Sequence, residues 1–373
     1  MGQRSIVILS VAALFLSCIR HGDKNENDAA YRTKEDVAFT RKYAKGFDIQ
    51  QREDGFVIET FSHSGNSEWS DKFVAPYKAD HNFSQNAKFL PVNINRVCCQ
   101  SSTYLAFLEF LGKIETVKGL CGKQYLNNKE LAAHLDTNNA REICLGEKTQ
   151  TETIIDINPD IYFVYPFQSE EVIGLEKKGV KTFMIAEYLE LDPLARLEWI
   201  KVFGMMFGEF EKANAYFEEV EKEYLQLVKP QPDKEKKFIM NLPFGDSWHA
   251  PSTNSLIISL LQDAGLYYCF QDESGTENTI HSKEEMWQIG AEVPYWVIVA
   301  NRPEGFTLED LLAEEEVYAT FRSVKEGKVI FCNTMVTDYF TYGVIEPHVL
   351  LNEIQNTVEG KTDTKAKYFQ ILK

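Results

Sequence analysis

The chain is short of positive charge. Lysine and arginine number 39 against 56 aspartates and glutamates, a formal net charge of −17 over 373 residues. No basic stripe is left to neutralise phosphates, which excludes nucleic acid as a partner. An anionic ligand would have to be met by a local Arg or Lys cluster or by helix N-termini, not by the field of the whole molecule. Long apolar runs are also scarce: after the first residues no stretch reaches the roughly 20 apolar residues that cross a bilayer. Besides Cys18 there are six cysteines, Cys98, Cys99, Cys121, Cys144, Cys269 and Cys332, and their spacing matches no zinc motif. Most are expected as buried thiols, and pairing cannot be assigned from sequence. His63, His81, His134, His249, His281 and His348 are scattered, with no His-x-His pair, so a receptor for bare zinc or manganese remains only an alternative. A cysteine-dependent enzyme using Cys98 or Cys99 with His249 is the other, and no nucleophile-elbow motif supports it. The expectation is therefore no catalytic residue, no cofactor and no metal site.

The N-terminus reads as a targeting segment. Arg4 supplies the positive start, residues 6–16 are apolar, and Ser17-Cys18 closes the run. Residues 1–17 are expected to be a signal peptide. Phe15-Leu16-Ser17-Cys18 resembles a bacterial lipobox, with Cys18 the residue that takes the lipid. The polar, aperiodic run from Arg20 to Asp28 then reads as a tether, assigned to residues 18–45. This reading gives a soluble body held to a membrane through its lipid anchor only.

What the sequence does have is a pattern that occurs twice. Thr151 to Asp160 forms a short amphipathic segment closed by Pro159 and leads into the apolar run Ile161-Tyr162-Phe163-Val164-Tyr165. Lys283 to Ile289 leads through Val293-Pro294 into Tyr295-Trp296-Val297-Ile298-Val299. Each is a helix, a proline stop and a buried parallel strand. Between the two copies, residues 193–230 are almost uninterrupted helical pattern. Asp192-Pro193 opens it as cap and first-turn proline, and Leu197, Ile200, Phe203, Phe207, Phe210, Ala213, Phe217, Val220 and Tyr224 line one face. Such a run could reach about 50 Å if straight, and Gly204 and Gly208 are the places where it could break. The fold class is α/β: two lobes, each a mainly parallel sheet flanked by helices, joined by a long rigid helix. The expected bounds are 46–192 for the first lobe with a β-rich extension, 193–230 for the linking helix and 231–373 for the second lobe. A cleft between such lobes is where a ligand goes.

Four stretches, taken together, are similar to a known family. They are Val97-Cys98-Cys99-Gln100-Ser101-Ser102-Thr103 before a helix, Glu152 with Asn158-Pro159-Asp160, the run from Glu187 to Lys201, and Trp248-His249-Ala250-Pro251 with Asp263-Ala264-Gly265. The set resembles the periplasmic substrate-binding lipoproteins of ABC importers for ferric siderophores and cobalamin, from about Pro91 to the C-terminus. The resemblance implies a monomer that captures a ferric chelate, haem or corrinoid and passes it to the permease and ATPase subunits. It also implies one permease-docking glutamate per lobe, matched by Glu152 and Glu285, with Glu284 a close rival. Ligand-binding candidates follow from the carboxyl ends of parallel strands. They are Ser101, Ser102, Thr103, Tyr165 and Phe167 in the first lobe, and Trp248 and Arg302 in the second. Tyr125 and Tyr339 are weaker candidates. Trp248 is the favoured single residue, because an indole can cover a flat ring.

Overall fold

The computed structural model describes residues 39–373 except 54, 63–68, 78–87, 147, 167–169, 273–277 and 362–365. The expected signal peptide, Cys18, Phe167, His63 and His81 lie outside the described residues.

The described chain opens on four strands, β1 (Phe47–Arg52), β2 (Gly55–Phe61), β3 (Ser70–Pro76) and β4 (Lys88–Phe89), paired in that order. Their alternating apolar residues face the first lobe, where Phe73 meets Phe183 at 4.7 Å between ring centroids and Thr60 Oγ1 donates to the Met184 carbonyl at 2.9 Å.

The first lobe follows as β5 (Val97–Cys99), α1 (Thr103–Phe110), β6 (Val117–Leu120), α2 (Lys129–Thr137), β7 (Arg141–Glu142), the small hairpin β8 (Cys144–Leu145) and β9 (Lys148–Thr149), α3 (Thr151–Ile157), β10 (Ile161–Val164), α4 (Glu170–Lys177) and β11 (Thr182–Met184). Its five-stranded sheet runs β11-β10-β5-β6-β7, parallel throughout. Strand order reverses between β5 and β10, a topological switch point of the kind that opens a crevice at the strands' carboxyl ends. Asn158, at φ 50°, ends α3 before Pro159.

The linking run is three consecutive helices, α5 (Pro193–Glu198), α6 (Ile200–Phe207) and α7 (Phe210–Leu227). Asp192 caps α5 by accepting from Leu194 and Ala195 N–H. Gly208 makes the second break at φ 72°. Gly204 does not break the chain: it lies within α6, where an added Cβ would sit 2.6 Å from the Ala213 Cβ of α7. The longest piece, 18 residues, reaches about 27 Å.

The second lobe comprises β12 (Lys237–Met240), β13 (Ser247–Ala250), α8 (Leu256–Asp263), β14 (Tyr267–Tyr268), β15 (Thr279–Ser282), α9 (Lys283–Glu292), β16 (Tyr295–Ala300), α10 (Leu308–Glu314), α11 (Arg322–Lys325), β17 (Val329–Asn333), α12 (Tyr339–Tyr342), α13 (Pro347–Val358) and β18 (Gln370–Ile371). Its sheet is ordered β14-β12-β16-β17-β18, with β18 antiparallel, while β13 and β15 form a separate antiparallel pair.

The run from Glu187 to Lys201 turns out to be a clamp. The Glu198 carboxylate accepts backbone N–H groups of Lys42, Tyr43 and Ala44, each at 2.9 Å, and Glu190 accepts those of Lys45 and Gly46 and the Trp199 indole. Residues 42–45, at the C-terminal end of the segment expected as a tether, are thereby fixed to the linking helices. Lys201 pairs with Glu198 at 3.1 Å and lies 3.8 Å over the Phe217 ring. Glu353 repeats the device, accepting the N–H groups of Lys367, Tyr368 and Phe369.

Candidate functional site

A cleft of about 630 Å³ opens between the two halves, lined by Ser101, Ser102, Thr103, Tyr165, Glu187, Tyr188, Arg196, Tyr339 and Phe340. Three segments at the carboxyl ends of β5, β10 and β11 supply the first-lobe wall, α5 supplies Arg196, and α12 supplies the opposite wall. The switch point between β5 and β10 thus sits at the cleft. Gln100 binds the two strand ends together: its side-chain oxygen accepts from Tyr165 N–H at 2.8 Å.

The polar groups of the first wall form a chain. Ser101 Oγ and Thr103 Oγ1 are 2.8 Å apart, and Thr103 Oγ1 donates to Glu187 Oε1 at 2.9 Å. That spends the Thr103 proton, so in the Ser101–Thr103 contact Ser101 is the donor. Ser102 is the N-cap residue of α1 but makes no side-chain cap bond; Thr103 N–H is instead taken by Ser101 Oγ at 3.3 Å. Glu187, only 1 % exposed, also meets Arg196 Nη2 at 3.5 Å. Burial, with the Glu187 carboxylate adding to it, raises the phenols of Tyr165 and Tyr188 above their ordinary value. Both remain neutral near neutral pH and can donate as well as accept. The opposite wall is more apolar: Phe340 is 60 % exposed, and Met335 and Val336 are exposed just before it in the chain. It is tied to the first lobe by Asn127 Nδ2, which donates to the carbonyls of Thr334 and Thr337 at 2.9 and 2.8 Å, and by Tyr342, whose hydroxyl donates to Glu109.

Of the candidates read from sequence, Ser101, Ser102, Thr103, Tyr165 and Tyr339 share this cleft. Trp248 does not: it is fully buried in the second lobe, its Nε1 donating to the Met240 carbonyl at 2.8 Å beside the Trp296 ring. The reason is the β13–β15 pair, which folds the chain after β12 back over its own lobe. Arg302 is held away by Glu314, at 2.9 Å from Nε and 3.1 Å from Nη2, and by the Phe306 ring. Tyr125 stands 76 % exposed and is no part of the cleft wall. Glu187, Tyr188, Arg196 and Phe340 were not among the candidates. Glu187, Tyr188 and Arg196 fall within the most distinctive stretch of the sequence, and the signal was a carboxylate embedded in an apolar, cap-initiated run.

Cys98 and Cys99 are fully buried on β5, and burial pushes the Cys98 thiol up to about 12 and Cys99 in the same direction. Neither is an activated thiolate. Cys121 and Cys144 form a disulfide between the end of β6 and the β8–β9 hairpin. Among the described residues, no three His, Cys, Asp or Glu side chains converge on a point, and no helix is long and apolar enough to cross a membrane. Glu152 and Glu285 are both exposed in the first turns of α3 and α9. Glu285 N–H donates to Ser282 Oγ at 3.1 Å, and its Oε1 lies 3.3 Å from His281 Nδ1; Glu284 is exposed beside it.

Two halves with parallel sheets, helices between them and a cleft at the strand ends define a solute-binding architecture. Residues 101–334 match the periplasmic binding protein family, and the chain belongs to that family. An uncharacterized lipoprotein of Methanocaldococcus jannaschii is 25 % identical, covering 94 % of this chain and 90 % of that one. Among solved structures, a periplasmic haem-binding protein of Pseudomonas aeruginosa superposes with a TM-score of 0.58 at 14 % identity, over 75 % of this chain and 98 % of that one. The triscatecholate siderophore-binding protein FeuA of Bacillus subtilis, solved with ferri-bacillibactin, superposes at 0.57 and 12 % identity, over 76 % and 99 %. At these identities the structural likeness establishes the shared fold. The family and these structural neighbours are named as binding proteins, and membership of a periplasmic family supports a location outside the cytoplasm.

Proposed function

We propose that this protein is the receptor of an ABC importer, anchored by a lipid on Cys18, which captures a metal chelate or corrinoid in the cleft. It then delivers the ligand to a permease whose ATPase drives release. The observation that carries the reading is the cleft itself. Tyr165, Tyr188, Tyr339 and Phe340 offer aromatic surface to a flat or bulky ligand from both walls, and a row of hydroxyls lies along one side. Its volume falls within the range of small-molecule sites. Ferric siderophore, haem and corrinoid all belong to this size and shape class. The family membership, and the haem and ferric siderophore bound by the two structural neighbours, support the same class of ligand.

Glu152 and Glu285 are the proposed docking residues. Each opens a helix that leads back to the start of a central strand, β10 or β16, so both carboxylates stand toward the edge of their sheet where the strands end. Two separated carboxylates meeting permease arginines steer docking and fix its register more than they add affinity. The protein acts as a monomer, with one lobe on each half of the permease.

The test is charge reversal. Glu152→Lys with Glu285→Lys should abolish uptake and binding to reconstituted permease while ligand affinity, followed by tryptophan quenching, stays within about twofold of wild type. Unchanged uptake in the double variant would remove the docking assignment.

A further inference from the structure

We propose that the antiparallel strand pair in front of each docking helix is an apolar anchor for the permease, with Leu145 and Phe244 the side chains that the partner seats. The inference rests on the receptor reading above and adds to it the surface that holds the complex, as distinct from the glutamates that steer it. Among the described residues there are two two-stranded sheets, and each ends where such a helix begins. β9 closes at Thr149 and α3 opens at Thr151; β15 closes at Ser282 and α9 opens at Lys283. Both lobes therefore build one device: a strand pair, a helix with a glutamate in its first turn, and a central strand.

Each device leaves apolar surface in solvent. Leu145 on β8 is 70 % exposed, Phe244 in the turn before β13 is 84 % exposed, and Ile280 on β15 is exposed as well. Of the ten large apolar side chains exposed among the described residues, these make three and Ile155, one turn along α3 from Glu152, makes a fourth. Such grouping, unlike single scattered residues, marks a contact surface. In the second lobe the path from anchor to carboxylate is short. Phe244 exchanges both backbone hydrogen bonds with Ser247, Ser247 pairs with Ser282, and Ser282 Oγ accepts Glu285 N–H at 3.1 Å. In the first, Leu145 pairs with Lys148, Gln150 N–H donates to the Ile143 carbonyl at 2.9 Å at the base of α3, and the Cys121–Cys144 disulfide fastens the hairpin to β6. Both anchors are thus held on rigid supports, which lowers the ordering cost of docking. Two like patches, one per lobe, fit a partner of two like halves, each offering an apolar socket with a cation at its rim. An anionic lipid surface would repel a chain of charge −17, and a second copy would set carboxylate against carboxylate.

The experiment follows the full chain, expressed without lipid, as it binds and leaves the permease–ATPase complex held in nanodiscs of phosphatidylcholine and phosphatidylglycerol, with empty nanodiscs alongside. Wild type is compared with Leu145→Ser, Phe244→Ser and the double variant, and tryptophan quenching checks ligand binding. The double variant should dissociate about tenfold faster or more, while its association rate, the salt dependence of that rate and its ligand affinity stay within about twofold of wild type. Glu285→Gln should do the opposite and slow association. If the double variant does not fold, Phe244→Ser alone decides. Unchanged dissociation overturns the anchors and leaves the receptor reading standing, because wild type still docks. Binding of wild type to empty nanodiscs that Phe244→Ser removes gives the surface to lipid, and self-association that it removes gives the surface to a second copy; either result overturns the proposal. Wild type that does not bind the permease at all takes down the receptor reading with it.

Discussion

Trp248 and Glu187 exchange the roles that residue type alone would give them. The indole is in the core and the carboxylate is at the cleft, because each follows its backbone. The β13–β15 pair turns Trp248 inward, where its N–H satisfies Met240. The turn after β11 delivers Glu187 beneath Thr103. Replacing Trp248 by Phe should therefore cost about 1–3 kcal/mol of stability, from an unpaired Met240 carbonyl and a small void, with ligand affinity unchanged. Chemical denaturation and a ligand titration on the same variant separate the two effects. Ser101, Ser102, Thr103 and Tyr165 were readable in advance, since a strand followed by a small polar turn and a helix puts that turn at the strand's carboxyl end. Arg196 was not: its distance from Glu187 is set by a 3-10 turn and a capped helix start, neither of which a periodicity records.

At the scale of elements, the strand–helix alternation and the helical run between the lobes were legible, because apolar spacing is dictated by the face each element buries. The breaks were less so. Gly204 and Gly208 look alike in sequence, but one permits close packing of α6 on α7 and the other adopts the left-handed backbone that ends α6. Gly204→Ala should accordingly lose about 1–3 kcal/mol, since its methyl would press on the Ala213 Cβ and approach the Glu209 carbonyl at 3.0 Å. A thermal melt with unaltered stability would show that α6 and α7 can separate freely. The clamps by Glu190, Glu198 and Glu353 were also hidden, because what they clamp is backbone N–H, more than a hundred residues away for Glu190 and Glu198, and a backbone partner leaves no mark in the sequence.

The molecule as a whole combines a fixed frame with an open groove. Glu190 and Glu198 hold residues 42–46, so the start of the described chain is tied to the helices joining the lobes. Asn127 and Tyr342 tie the α12 wall to the first lobe, which limits how far the cleft can open. Ligand capture then requires little movement, and discrimination falls to the wall chemistry. The most direct test of the account is an equilibrium titration of metal chelates and corrinoids, read by visible absorbance, on wild type and on Phe340→Ala. Phe340 stands at the cleft with most of its ring exposed, so its removal spares the fold. Saturable, equimolar binding that weakens by about tenfold in the variant is the predicted result. Binding that is indifferent to Phe340, or no binding of any such ligand, would contradict the assignment of the cleft.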